Sequence, residues 1–285
     1  MRKAIYYFTG TGNSMRASIK IAQRLGNTDI ISMRNAPAKV SAADCDMIGF
    51  IYPVYHWTMP EPVVRFVEEL EINPEAYIFV VAMPSFVLGN ACERLERILA
   101  AKGARLSYGE KVNSVANYVL VYPPMPSPKY IIPKTEKKLA RIAENIANRR
   151  GRKIPRESVF LRGIHHKVMD PYKGLHEYAD VPFTISDDCI SCGLCAKVCP
   201  VGNIALTEGR PTFCHKCAQC MACVSFCPKR AIGYELKESK LIEHAEALKK
   251  TPVVKKMGLP AGRIPYHNPY ITASDIAKDQ LKIDG

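Results

Sequence analysis

A cysteine run that occurs twice constrains this chain more than any other feature. Cys189, Cys192, Cys195 and Cys199, followed by Pro200, recur as Cys217, Cys220, Cys223 and Cys227, followed by Pro228. The offset is 28 residues at every position. Each copy leads into a short apolar stretch, Asn203-Ile204-Ala205-Leu206 and Ala231-Ile232-Gly233-Tyr234. Such a duplication predicts a small pseudo-two-fold unit. Of the eleven cysteines, nine lie between Cys189 and Cys227. The odd count and the absence of a recognisable export signal argue against a disulfide framework and for metal.

Soft thiolates suit iron–sulfur cores, and three cysteines at successive spacings of three let one tight loop wrap three irons. In runs of this spacing the fourth cysteine serves the other cluster. One [4Fe–4S] cluster is therefore expected on Cys189, Cys192, Cys195 and Cys227, and a second on Cys217, Cys220, Cys223 and Cys199. Crossed ligation clamps the halves together and partly replaces a large core. Cys214 also stands three residues before Cys217, but a register starting there breaks the repeat, so Cys214 is expected to be a spare thiol. Structural zinc and disulfides are the alternatives; zinc prefers paired C-x2-C hooks that are well separated.

The first 120 residues alternate between strand and helix signals. Apolar runs predict strands at Lys3–Phe8, Asp29–Met33, Met47–Tyr52 and Tyr77–Met83, with a last strand within Leu106–Val121. Helical spacing predicts helices over 13–25, 61–70 and Asn90–Lys102, the last stopped by Gly103. The alternation implies a doubly wound, five-stranded parallel sheet with helices on both faces, an α/β fold.

Thr9-Gly10-Thr11-Gly12-Asn13-Ser14 follows the first strand and opens the first helix. Backbone N–H groups and a helix N-terminus attract phosphate, and glycines permit close approach. The loop lacks the dinucleotide spacing and the lysine of a triphosphate site, so a single terminal phosphate, as on FMN, fits better. The alternative is a plain Gly/Thr turn capping a helix. Ligands of a doubly wound sheet sit outside the strands' carboxyl ends. That edge also receives Pro53, Tyr55 and Trp57 after the third strand and Ser85, Phe86 and Gly89 after the fourth. The three aromatics offer flat faces for an isoalloxazine ring; ordinary packing is the alternative for each. His56 is expected to face solvent; tuning a flavin is the alternative. His165, His166 and His176 have no accompanying ligand pattern and read as surface.

Residues 1–121 are thus expected as an FMN-binding domain, 122–180 as a linker, 181–235 as the cluster domain and 236–285 as a tail. Five prolines in 122–133 exclude regular structure there. A basic helix is expected over 134–150, with Leu139, Ile142 and Ile146 as its apolar stripe, and another over Leu241–Lys249. The formal net charge is +13, unevenly spread: +2 on 1–120, +7 on 121–180, +1 on 181–235 and +3 on 236–285. No stretch is long and apolar enough for a transmembrane helix, and Met1–Phe8 is too short for a signal-peptide core. A cytoplasmic location is expected.

With these motifs in this order, the chain resembles the flavodoxin–ferredoxin fusion proteins of anaerobic bacteria and archaea. FTGTGNS after a strand resembles flavodoxins, and the Cys-Pro repeats resemble two-cluster bacterial ferredoxins. Arg263-Ile264-Pro265-Tyr266-His267-Asn268-Pro269 looks like a terminal segment of that family. The resemblance implies FMN on the first domain and electron passage between flavin and clusters. Redox partner proteins are the expected partners, and the basic linker would suit acidic ones. No residue is expected to be needed as an acid or base. The alternatives are a flavin-dependent reductase of a small organic substrate fed by the clusters, and a basic module for nucleic acid or membrane surfaces.

Overall fold

The structure is a computed structural model and describes residues 1–34, 40–161, 163–164, 179–236 and 257–284. The expected helix Leu241–Lys249 and His165, His166 and His176 lie outside the described residues. Five strands run parallel: β1 (Lys3–Tyr7), β2 (Thr28–Ser32), β4 (Met47–Pro53), β6 (Tyr77–Met83) and β7 (Leu106–Lys111), in the order β2-β1-β4-β6-β7. This is the flavodoxin-like doubly wound order, whose chain direction across the sheet reverses between β1 and β4. The carboxyl ends of those two strands therefore splay into a crevice. β4 and β6 read as unbroken apolar runs because both their faces are covered. A short parallel pair, β3 (Ser41–Ala42) with β5 (Glu71–Ile72), stands apart from the main sheet.

One core joins α2 (Glu61–Glu69) and α3 (Ala91–Ala101) to one face of the sheet through Val63, Phe66, Val67, Leu95 and Leu99. The other joins α1 (Asn13–Leu25) and α4 (Pro128–Ala147) to the opposite face through Met15, Ile21, Leu139, Ile142 and Ile146. Each fully buried aliphatic side chain is worth about 1.5–3 kcal/mol, so three stripe residues suffice to hold a helix as polar as α4. Arg16 adds a two-pronged ion pair to Glu136, at 3.1 and 2.8 Å.

Helix α4 corrects the expectation that prolines exclude regular structure up to residue 133. Pro128 occupies the first helical position, where no N–H bond is required. Pro133 lies inside the helix and removes one backbone bond, to the Lys129 carbonyl. Burial of the stripe further along outweighs that loss.

The cysteine-rich part repeats in its backbone as it does in its sequence. Helix α5 (Leu194–Val198) and helix α6 (Ala222–Phe226) are 28 residues apart and start from left-handed caps at Gly193 and Met221. Ser191 and Gln219, at the same offset, share φ 53°. Strand β8 (Phe183–Ile185) pairs with β11 (Ile232–Tyr234), and β9 (Ile204–Thr207) with β10 (Arg210–Phe213). The pairs Ile185↔Ile232 and Ile204↔Phe213 interchange under the 28-residue offset. Two two-stranded ribbons and two helical turns bury little, consistent with a unit held by its metal.

The two parts interlock. Val119 and Leu120, from the connection after β7, are buried with Phe183, Met221, Val224 and Ile232 of the cysteine-rich part. Val198, Ala222 and Phe226 join the core beneath α1. The C-terminal segment, expected to be a tail, returns to the first domain. Its helix α7 (Ala273–Ile276) carries a capping box between Thr272 and Asp275. Strand β12 (Gln280–Ile283) pairs antiparallel with β2, making the sheet six-stranded. Arg34 ties three elements together, donating to the Lys197 carbonyl at the end of α5 (2.6 Å) and the Ile276 carbonyl of α7 (3.2 Å). Among the described residues no helix is long and apolar enough to cross a membrane.

Candidate redox centre

Cys189, Cys192, Cys195 and Cys227 line one small cavity, walled by Ile185, Pro211, Pro228 and Ile232. In the second set, Cys199 lies near enough to Cys217, Cys220 and Cys223 for its charge to reach them. Burial pushes the Cys217 thiol up to about 12, with Asp180 and Cys199 adding to the rise. Burial raises Cys220 and Cys223 as well, and the charges of Cys199 and of their neighbouring thiols add to it. A bound metal supplies the positive charge that lets thiols of this kind ionise. Backbone N–H groups already point at three sulfurs: Asn203 to Cys199 Sγ (3.2 Å), Ala231 to Cys227 Sγ (3.3 Å) and Gln219 to Cys217 Sγ (3.3 Å). The first two are repeat-related. Such bonds stabilise thiolate charge and tune a cluster. Two sets of four thiolates are the donor chemistry that two cubane clusters need. Cys214 is exposed and does not line the cavity of the first set; its N–H donates to the Asn203 carbonyl at 2.8 Å.

Asp180 anchors the loop before Cys217. Wholly buried, it accepts from Asn203 Nδ2 (2.8 Å), from the His215 backbone N–H (2.9 Å) and from the ring at His215 Nδ1 (2.9 Å). Sequence inspection missed this residue, since a single aspartate carries no spacing signal.

A cavity of about 630 Å³ opens at the carboxyl edge of the sheet, within the range of small-molecule and cofactor sites. Its wall holds Thr9, Gly10, Thr11, Asn13 and Ser14, together with Pro53, Tyr55, Trp57, Ser85 and Phe86. Three separate expected loops thus meet at one space. Ser14 Oγ is buried, with the residue 1% exposed, and has no hydrogen-bond partner among the described residues. It stands in the first turn of the 13-residue α1, which has no acidic side chain there. An orphan hydroxyl at an uncompensated helix N-terminus fits a phosphate. The cavity and loop therefore fit FMN.

Gly12 and Gly89 do not line the cavity; both work behind its wall. Gly12 has φ 94°, its N–H donates to Thr9 Oγ1 (3.0 Å), and a Cβ there would press on Ile271 and Asn268. Gly89 has φ 57°, and a Cβ there would overlap the Trp57 carbonyl oxygen, which accepts from the Asn90 N–H at 3.1 Å. His56 is half-buried and lines the cavity, edge-on to Tyr118 with 6.2 Å between ring centroids.

The remaining wall comes from places the sequence did not mark. One is the connection after β7, with Asn117, Tyr118, Tyr122 and Met125; a second is the cysteine-rich part, with Gln219, Cys220 and Tyr234; Ala179 and Met257 add single residues. The first had a usable signal, because β7 also ends at this edge. The second had none, because nothing local says which face of a ferredoxin unit meets the sheet. Tyr118 Oη donates to Gln219 Oε1 at 2.8 Å across the junction. Burial drives the Tyr55 phenol well up, and the neighbouring Cys220 and Cys217 add to it.

Residues 182–205 and 215–231 each match a 4Fe-4S binding domain family. An uncharacterized ferredoxin of Methanocaldococcus jannaschii is 31% identical over 127 residues, 43% of this chain and 72% of that protein. One component of an ion-translocating oxidoreductase complex of Methanosarcina acetivorans is 43% identical over 54 residues, and a polyferredoxin of Methanothermus fervidus 39% over 49. Those two matches cover 19% and 17% of this chain, and the chain spans only 20% and 12% of the two proteins. Among solved structures, a Fusobacterium nucleatum flavodoxin bound to flavin mononucleotide is 14% identical, covering 52% of this chain and 97% of that one, with a TM-score of 0.38. A putative flavoprotein of Bacteroides uniformis is 15% identical over 50% of this chain and 98% of that one, with a TM-score of 0.38. With its two 4Fe-4S domains, its 31% identity over most of the M. jannaschii ferredoxin and its flavodoxin-like sheet, the chain belongs to the ferredoxins as a flavodoxin–ferredoxin fusion.

Proposed function

We propose that the protein carries electrons between a bound FMN and two [4Fe–4S] clusters and on to redox partner proteins. The observation that supports this most directly is the shared wall of the large cavity, where the phosphate loop and the cysteine loop at Gln219 and Cys220 face one space. Ser14, Thr9, Thr11 and the first-turn amides of α1 hold the phosphate, while Tyr55, Trp57 and Phe86 offer faces to the ring. Cys189, Cys192, Cys195 and Cys227 ligate one cluster; Cys217, Cys220, Cys223 and Cys199 ligate the other. When bound, FMN exchanges one or two electrons and each cluster one. The chain's own contribution is to hold these centres close, keep water from them, and donate backbone hydrogen bonds to the sulfurs.

Anaerobic purification with iron, sulfide and flavin assays tests the reading. About eight irons, about eight sulfides and about one FMN per chain are expected. Protein that cannot be reconstituted with flavin removes the FMN half. Sustained turnover of a small organic acceptor would instead favour the reductase reading.

A further inference from the structure

The two cysteine sets stand differently toward the flavin cavity. Cys220 lines it, and no member of the other set does. The contact is tight at one point: a Cβ on Gly10 would collide with the Cys220 carbonyl oxygen, fall 2.8 Å from its Cβ, and lie 3.0 Å from Tyr55 Oη. Gly10 has no positive φ, so its lack of a side chain is not a backbone requirement. What needs a glycine at position 10 is the packing of the cysteine loop against the phosphate loop. The bond from Tyr118 to Gln219 secures the same approach one residue before Cys220. At the other end, Cys192 is exposed, and Ile190 beside it is 57% exposed.

We propose that Gly10 is a positioning residue that seats the Cys220 loop against the flavin cavity. The set Cys199, Cys217, Cys220 and Cys223 is then the flavin-side centre, and the set Cys189, Cys192, Cys195 and Cys227 is the outlet. This rests on the electron-transfer reading above. At each crossing one electron and no atom moves; what one centre loses the next gains. The outlet exchanges with a one-electron redox protein at the face marked by Ile190 and Cys192.

The test is an EPR-monitored redox titration of the full-length, cluster-loaded protein with FMN stripped and restored. Cys220→Ser and Cys192→Ser, each altering the signal of one cluster, identify which signal is which. FMN removal is expected to shift the potential of the cluster altered by Cys220→Ser and to leave the other in place. A shift confined to the cluster altered by Cys192→Ser, equal shifts in both, or no shift in either overturns the order. At saturating FMN, Gly10→Ala is expected to shrink the shift and slow flavin–cluster equilibration several-fold. An undiminished shift in Gly10→Ala overturns the positioning role. Failure of the underlying reading looks different: the wild-type protein then takes up no FMN at all.

Discussion

Ser14 shows how a single atom can report on an absent partner. A buried hydroxyl without a hydrogen bond costs free energy, and a bound phosphate removes that cost. Ser14→Ala is expected to raise the dissociation constant of FMN about tenfold or more, the range of a hydrogen bond to a charged group. Fluorescence titration of the flavin-free protein measures it. Riboflavin, lacking the phosphate, should bind wild type and variant alike. Backbone strain is a second residue-level feature. His56 and Trp57 sit at φ 48° and 57° between Tyr55 and Thr58, which bond to each other through both backbone N–H groups, at 3.1 and 2.9 Å. Hairpin turns of this kind ordinarily use Asn-Gly. Bulky side chains are kept in this conformation at a cost of about 1–2 kcal/mol each, and they reach the cavity in return. Gly89 leaves room for that turn. Gly89→Ala, strained at its own φ and overlapping the Trp57 carbonyl, should destabilise the protein by at least about 1 kcal/mol. A lower apparent melting temperature together with weaker FMN binding would show it.

At the scale of elements, the sheet and the cluster unit differ in what holds them. The sheet has two cores, one on each face. The cluster unit has two ribbons, two short helical turns and a small core partly borrowed from Val119 and Leu120. Chelating the iron is therefore expected to release residues 181–235 to fast hydrogen exchange while β1, β4 and β6 stay protected. Simultaneous loss of protection in both would contradict this division. The C-terminal segment bridges them. Asn268 N–H donates to the Thr11 carbonyl (2.8 Å), Tyr266 Oη donates to Asn13 Oδ1 (2.9 Å), and the His267 ring stacks on Phe226 with centroids 4.8 Å apart. The strands β1, β4 and β6, the first three helices and the cysteine register were legible because each rests on a local period or spacing. Strand β12 was not, because four alternating residues near a chain end mean nothing until an edge strand receives them.

For the whole molecule, bulk charge misleads until it is placed. Each oxidised cluster with its thiolates carries about −2 and the FMN phosphate about −2, so the loaded protein is nearer about +7 than the formal +13. Part of the linker's positive charge is also used internally: Lys138, Arg141 and Arg152 converge on Glu110, 2% exposed, at 3.5, 4.0 and 2.9 Å. On the proposed electron-transfer reading, the rest would steer an acidic redox partner. Its association rate is expected to fall several-fold between about 0.05 and about 0.2 M salt. Stopped-flow mixing with acidic and basic carrier proteins checks this, and a salt-independent rate would exclude the steering.

The sequence by itself determined the chemistry: which cysteines repeat, which loop suits a phosphate, and which period makes each strand and helix of the first domain. Those properties depend on neighbours a few residues apart. The meeting of the two halves was decided only by tertiary structure. That Cys220 rather than a repeat-related cysteine faces the flavin cavity, that Gly10 clears its path, and that residues 257–284 return to the sheet all depend on contacts between distant segments. The 28-residue repeat makes the two cysteine sets nearly equivalent as sequence. Packing against one asymmetric sheet makes them different, because only one of the two related loops can occupy the same edge.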